Sequence, residues 1–298
     1  MRIAARLPLS WSYEADGNFE PQLQSIWLSA SRRYWIHTSR FSGACIDPVE
    51  WIHEYAASGP SVVMRGCSND WKMGLSQFGW KSRQTGMEAL LQMPWIPHRS
   101  LRELERRALH KGAIRPVDVQ IEKEWLADLL PALRAESHYQ SRPALAHLFQ
   151  TTPDNWIQAL VYARESPLAL VGWSQNGPAS WHLEVLLRSQ NAPVGTMEAL
   201  ILESARMAAA RGIRTISLGE VPFLHFGERE APHRFASYYL MRPAFSSMGL
   251  FRFKNKFRPR WEPLYLLSDR SVRFLTLADL FIASGCHRLL GYCLTHRS

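Results

Sequence analysis

The chain has 298 residues, 46% of them hydrophobic and 20% charged, proportions that suit a globular protein with a buried core and exclude a disordered or fibrous one. The formal net charge of +9 favours anionic partners (nucleic acid, phosphorylated cofactors or an acidic membrane face) without choosing among them. No uninterrupted apolar run approaches the roughly eighteen residues a membrane-spanning helix needs.

Arg6 and Pro8 interrupt the apolar residues at the start, and Glu14 and Asp16 follow, a poor signal peptide. The cysteines, Cys45, Cys67, Cys286 and Cys293, show neither Cys-x-x-Cys nor His-paired metal spacing, so reduced thiols in a cytoplasmic protein are expected.

In chain order, the first third alternates short aromatic and β-branched runs (26–28, 34–36, 61–64) with turn signals. Asp47-Pro48 fits a cap and first turn for a helix with Val49, Ile52 and Ala56 on one side. Residues 97–112 read as a basic helix. Ser100 and Glu103 are placed for a capping box, Gly112 for the stop, and Leu101, Leu104, Ala108 and Leu109 for the inner stripe; Arg102, Arg106 and Lys111 then face outward.

After this helix a strand–helix–strand–strand–strand–helix–strand order runs from 114 to 220, with helices over 122–137 and 195–210. That order matches the core of a GNAT acyltransferase. The expected fold is α+β, with two tandem GNAT-like modules and mixed central sheets. They divide as an N-terminal module over 1–97, the basic connecting helix over 98–112, and a catalytic module over 113–298. The stretch 274–294 reads as an apolar helix that packs on the C-terminal module or lies on a membrane surface.

Two segments carry more than fold. One is Arg188-Ser189-Gln190-Asn191-Ala192-Pro193-Val194-Gly195-Thr196-Met197-Glu198, followed by Leu218-Gly219-Glu220-Val221-Pro222. The other runs from Leu250 to Tyr265 and contains Phe253-Lys254-Asn255-Lys256-Phe257-Arg258-Pro259-Arg260-Trp261-Glu262-Pro263. Over about 180–267 the chain resembles the C-terminal domain of the phosphatidylglycerol lysyl- and alanyltransferases, where such motifs occur in this order.

The resemblance implies transfer of an aminoacyl group from aminoacyl-tRNA to a lipid hydroxyl, with no further cofactor. In the family a multi-span membrane region usually precedes this part; none is present in this sequence, so membrane contact is expected to be peripheral, at the inner face. The family pairs the arginine at position 188 with an aspartate three residues earlier, where this chain has Val185.

Arg188 is the candidate for holding a phosphate or the developing oxyanion. Glu184, four residues away, is expected to share its strand face, and Glu220 to close the neighbouring strand as a base. Gly195 and Thr196, at a helix start, are candidates for donor-anion binding. His225 and His233 are further candidate bases. Read with a period of two, Arg252, Lys254, Lys256, Arg258 and Arg260 form a cationic strand face suited, with the basic helix, to tRNA phosphates. Two other functions stand beside the leading one. An acyl-CoA-dependent GNAT is opposed by the lack of the usual CoA loop; a degenerate module binding tRNA or anionic lipid is favoured by Val185.

Overall fold

The computed structural model describes residues 6–43, 47–148, 152–224 and 247–296. Eleven strands form one sheet: β1 (Ser12–Glu14), β2 (Gln22–Leu28), β3 (Arg33–Ser42), β4 (Val62–Cys67), β5 (Lys81–Gln92), β6 (Ala113–Val117), β7 (Trp156–Ala163), β8 (Pro167–Gly177), β9 (Ser180–Arg188), β10 (Thr215–Pro222) and β11 (Arg260–Ser268). Their order is β1-β3-β4-β11-β5-β10-β9-β8-β7-β6, with β2 on the other edge of β3. The described helices are α1 (Pro48–Ser58), α2 (Asn69–Ser76), α3 (Arg99–Leu109), α4 (Lys123–Ala135), α5 (Thr196–Ala210), α6 (Ser247–Asn255), α7 (Phe274–Ala283) and α8 (Cys286–Thr295).

The sequence expectation of two sheets bridged by the basic helix is corrected. β5, from the first third of the chain, pairs with β10 on one edge and β11 on the other, so strands far apart in sequence close one continuous mixed sheet. α3 does not bridge sheets; it lies on α5. The close approach is set at Gly195, whose φ is +94° and where a methyl group would sit 2.1 Å from the Leu104 carbonyl oxygen.

From β6 to β10 the element order is the one read from the sequence. α5 buries Ala199, Leu200, Ile201, Leu202, Ala205 and Ala208 between one sheet face and α3, and the Trp173 indole donates to Ser204 Oγ at 2.8 Å, so the polar tip of this large ring is satisfied in the core. α4 covers the other face with Leu126, Leu129 and Leu133, while Pro131 stays on its exposed side. At α1 the Asp47 carboxylate accepts from the Val49 amide at 2.9 Å, as the cap reading requires.

Several local expectations fail: the stretch 274–294 is two helices, α7 and α8, rather than one, and Leu109, expected on the inner stripe of α3, is exposed. α3 starts at Arg99 behind His98 without a capping box: Ser100 Oγ bonds His98 Nδ1 at 2.9 Å, and Glu103 turns instead to Arg106 and Arg107. Residues 247–255 are helix, not strand. Phe253 and Phe257, four apart, anchor against Trp95 and the core under α5, and the extended run begins only at Arg260.

Candidate active site

β9 and β10 run parallel and pair only from Ser180↔Thr215 to His182↔Ser217. Beyond that point the two strands part. β10 also carries a bulge against β5 between Ser217 and Glu220, with Gly219 at φ +83°, and the Glu220 carboxylate reaches across β5, toward Thr85 and Arg65. In the resulting register Glu220 of β10, Glu88 of β5 and Glu262 of β11 lie directly opposite one another, three carboxylates in one row across the sheet.

Like charges at facing positions repel, and cations interleave them. Arg65 of β4 pairs with Glu220, which also accepts from Thr85 Oγ1 at 2.9 Å. Arg6 bridges Glu88 at 3.2 Å and Glu262 at 2.9 Å, while Arg260 pairs with Glu262 from outside. Lys254, only 7% exposed, reaches in from α6 and donates to the Glu220 carbonyl at 2.9 Å. Burial pushes its ammonium down to about 8, against the pull of Glu220 and Glu88.

Beneath the row lies a second polar chain. Ser217 Oγ donates to Glu88 at 2.5 Å and accepts from the Gly219 amide at 3.1 Å. With the one hydroxyl proton committed to Glu88, the 3.2 Å contact to His182 assigns the imidazole proton to Nδ1 and leaves Nε2 an acceptor. His182 is fully buried and held down to about 3, by desolvation first and then by Lys254 and Arg6, so it is neutral at physiological pH. A methyl group at Gly219 would lie 3.5 Å from Lys254 Nζ and 3.7 Å from His182 Cε1; the backbone here passes between the two bases.

Of the residues named from sequence, Glu220 and Lys254 belong to this cluster. Lys254 is therefore corrected: it is a buried group under the sheet end rather than part of an exposed cationic face. The expected pairing of Glu184 with Arg188 is corrected as well. A β-bulge places Gly172 opposite Val185 and Trp173 opposite Leu183, so Glu184 is the extra residue and the alternation shifts there. Glu184 is buried and accepts from Ser174 Oγ at 2.6 Å, on the side of His182. Arg188 follows Leu186 toward α5 instead.

Gly195 and Thr196 are taken up by structure. The Thr196 amide and hydroxyl both donate to the Pro193 carbonyl, at 3.2 and 2.8 Å, which leaves neither for an anion. Arg102, Lys111, Arg252 and Arg258 are exposed; Arg106 and Arg260 are exposed but paired with Glu103 and Glu262, and Lys256 pairs with Glu198 of α5 at 2.7 Å. His225 and His233 lie outside the described residues.

Sequence reasoning missed Glu88, His182, Ser217, Arg6 and Arg65. Two of them carried a signal: Glu88 sits in Met87-Glu88-Ala89-Leu90-Leu91 and His182 between Trp181 and Leu183. A lone ionisable group inside an apolar run is costly to bury and needs a dedicated partner.

A search of curated proteins finds no match to the chain. Among solved structures it resembles L-PGS from Bacillus licheniformis, with a TM-score of 0.67 and 18% identity over 94% of this chain and 88% of that one. It also resembles the C-terminal domain (DUF2156) of a putative lysylphosphatidylglycerol synthetase from Agrobacterium fabrum, with a TM-score of 0.63 and 16% identity over 80% and 77%. FemX follows at 0.51 and 9% over 89% and 82%. Residues 48–268 match the family described as phosphatidylglycerol lysyltransferase, C-terminal. That match spans more than half of the chain, which therefore belongs to the phosphatidylglycerol lysyltransferase C-terminal family and is an aminoacyl-transferring acyltransferase.

Proposed function

We propose that the chain moves an aminoacyl group from aminoacyl-tRNA to a hydroxyl of phosphatidylglycerol or a related anionic phospholipid, and that Lys254, Glu220 and Arg65 form its reacting centre. The observation that carries this reading is Lys254, buried beside the Glu220–Arg65 pair where β9 and β10 part. The acceptor oxygen attacks the carbonyl carbon of the tRNA ester. The new ester bond forms, the bond to the ribose oxygen breaks, and one proton passes from the acceptor hydroxyl to that ribose oxygen. The donor ester is already activated, so the proposed reaction draws on no cofactor.

What the protein contributes is placement, charge stabilisation and the proton. Lys254, pushed down to about 8, populates both protonation states near neutral pH. Its ammonium form stabilises the tetrahedral oxyanion and protonates the leaving ribose oxygen; Glu220, steadied by Arg65 and Thr85, receives the acceptor's proton. Glu184, bonded by Ser174 on the face of His182, supports that face, whereas Arg188, turned toward α5, lies on the opposite face and takes no part in the transfer. The exposed cations Arg102, Arg106, Lys111, Arg252, Lys256, Arg258 and Arg260 are assigned to the tRNA backbone.

The test is reconstitution with labelled aminoacyl-tRNAs and phosphatidylglycerol vesicles, followed by lipid extraction. Labelled lipid is expected, and Lys254→Met should lower the rate about a hundredfold or more with the far-UV spectrum retained. Full activity in that variant removes Lys254 from the centre. Tight tRNA binding without transfer of any amino acid favours the degenerate module, which the Val185 departure makes the second reading.

A further inference from the structure

α7 and α8 form an apolar helical pair, bent by 72° at the break between them. No single helix among the described residues is long and apolar enough to cross a membrane. The pair has two unlike sides. Inward, Leu277, Leu280 and Ala283 pack against Leu28, Trp35, Val63 and Leu266, while Leu289 is buried among Leu145, Phe223 and Phe281. Outward, Phe274 is 80% exposed, Ile282 59%, and Leu275 and Leu294 51% each. Phe274 and Ile282 stand eight residues apart on α7 and so share a face.

The charges are sorted the same way. Arg270, Arg273 and Arg288, on or just before the two helices, are exposed, Arg270 lying 3.8 Å from Asp269. The two acids of this region turn inward: Asp279 accepts from the Ser31 amide and hydroxyl at 2.7 and 2.8 Å, and Asp269 from Ser61 Oγ and the Val62 amide at 2.7 and 3.0 Å. An apolar face with exposed arginines on and beside its helices, and with its acids bonded to neighbouring strands and turns, matches the acyl boundary of an anionic bilayer and its headgroups.

The pair also adjoins the candidate site. Phe223, against which α8 packs, directly follows the β10 strand that carries Glu220. Burial pushes the Cys286 thiol at the start of α8 up, opposed first by its hydrogen bond with Ser284 and then by the charge of Arg65, the partner of Glu220.

We infer that the outer face of α7–α8 seats the protein on the surface of an anionic phospholipid bilayer and so brings the lipid acceptor to the Arg65–Glu220–Lys254 cluster. The delivery step rests on the proposed transfer to lipid; the docking itself does not. The test uses the whole chain in co-sedimentation with vesicles of phosphatidylcholine and phosphatidylglycerol in equal parts, and with phosphatidylcholine alone. Wild type should bind the mixed vesicles, and Phe274→Glu/Ile282→Glu should weaken that binding about tenfold or more. Both residues are exposed, so the variant's melting temperature should match wild type. Arg273→Glu/Arg288→Glu should remove the preference for anionic vesicles.

The two readings separate by acceptor. With monomeric short-chain phosphatidylglycerol the Phe274→Glu/Ile282→Glu variant should transfer as wild type does, while its transfer on vesicles falls. Vesicle binding lost in the variant, with no transfer by wild type to any lipid, upholds the docking face and sinks the transfer. Wild type that ignores both vesicles, or a variant that binds as wild type does, overturns the docking face. So does a concentration-dependent dimer dissolved by the same substitutions without vesicle binding.

Discussion

On β5 and β10 the two faces of the sheet are built by opposite chemistry at alternating residues. Ala89, Leu91, Ile216 and Leu218 turn to the core under α5 and α3; Glu88, Ser217 and Glu220 turn the other way, into the carboxylate row. The first face is held by burial, which neither pH nor salt alters much. The second is held by Arg6, Arg65 and Lys254 standing between acids that would otherwise repel. Replacing buried ion pairs with apolar groups of similar size is often neutral or stabilising, so stability alone does not account for the row. The difference teaches that one strand carries the fold on one side and chemistry on the other.

The sharpest way to break this comparison is at two positions of β5. Leu91→Ala opens a cavity under α5 and should cost about 2–5 kcal/mol in urea unfolding, while the folded fraction transfers within a few-fold of wild type. Glu88→Leu should change stability by less than Leu91→Ala, yet lower transfer at least about tenfold through the loss of the Ser217 and Arg6 contacts. A Glu88→Leu protein that is the less stable of the two and fully active would erase the distinction.

How much of this was legible from sequence depends on where each element's partners lie. The β6–β10 unit was readable because consecutive elements pack on one another, so periodicity and neighbours agree. β5 was missed. Its first half, Lys81-Ser82-Arg83-Gln84-Thr85, is polar, and both its partners come from more than a hundred residues downstream. At 250–260 the same cations and aromatics satisfy a period of two on paper. Phe253 and Phe257 satisfy a helical spacing as well, and burial against Trp95 decides for the helix. The bulge at Glu184 is set by the register of β8 and leaves no local mark, so a spacing argument from Glu184 to Arg188 fails without warning.

A second prediction sharpens the comparison through pH. His182 titrates near 3 when folded and near 6.5 when free, so between those values the unfolded chain binds more protons. Stability then falls as pH drops through that window, by at most about 1.4 kcal/mol per pH unit. Lys254, about 8 folded against 10.5 free, acts in a higher window with the same sign: stability rises with pH between those two values. Urea midpoints measured across pH should show that His182→Gln flattens the acid limb and Lys254→Met the alkaline one. Leu91→Ala should lower the whole curve without changing either slope. Equal slopes in all three variants would mean that the charged face does not govern the pH response.

The smallest effects belong to the outer surface of α3, which takes part in neither face. Glu103, partly exposed, is held below the usual carboxylate range by its bonds to Arg106 and Arg107, and Arg106 is raised in return. Such pairs add little to stability, so Arg102→Ala and Arg106→Ala should both melt with wild type. They should differ in tRNA binding. The guanidinium of Arg106 is already shared with an acid, whereas exposed Arg102 is free of any ion pair among the described residues. A phosphate contact releases a counterion for each cation it neutralises, which lowers the slope of log affinity against log salt by about one when that cation is removed. Fluorescence anisotropy over a salt series should therefore show the slope fall by about one for Arg102→Ala and by less for Arg106→Ala. The reverse order would mean that Glu103 releases Arg106 to the phosphate on binding. No change in either variant would move the tRNA surface off α3, toward Arg252, Arg258 and Arg260.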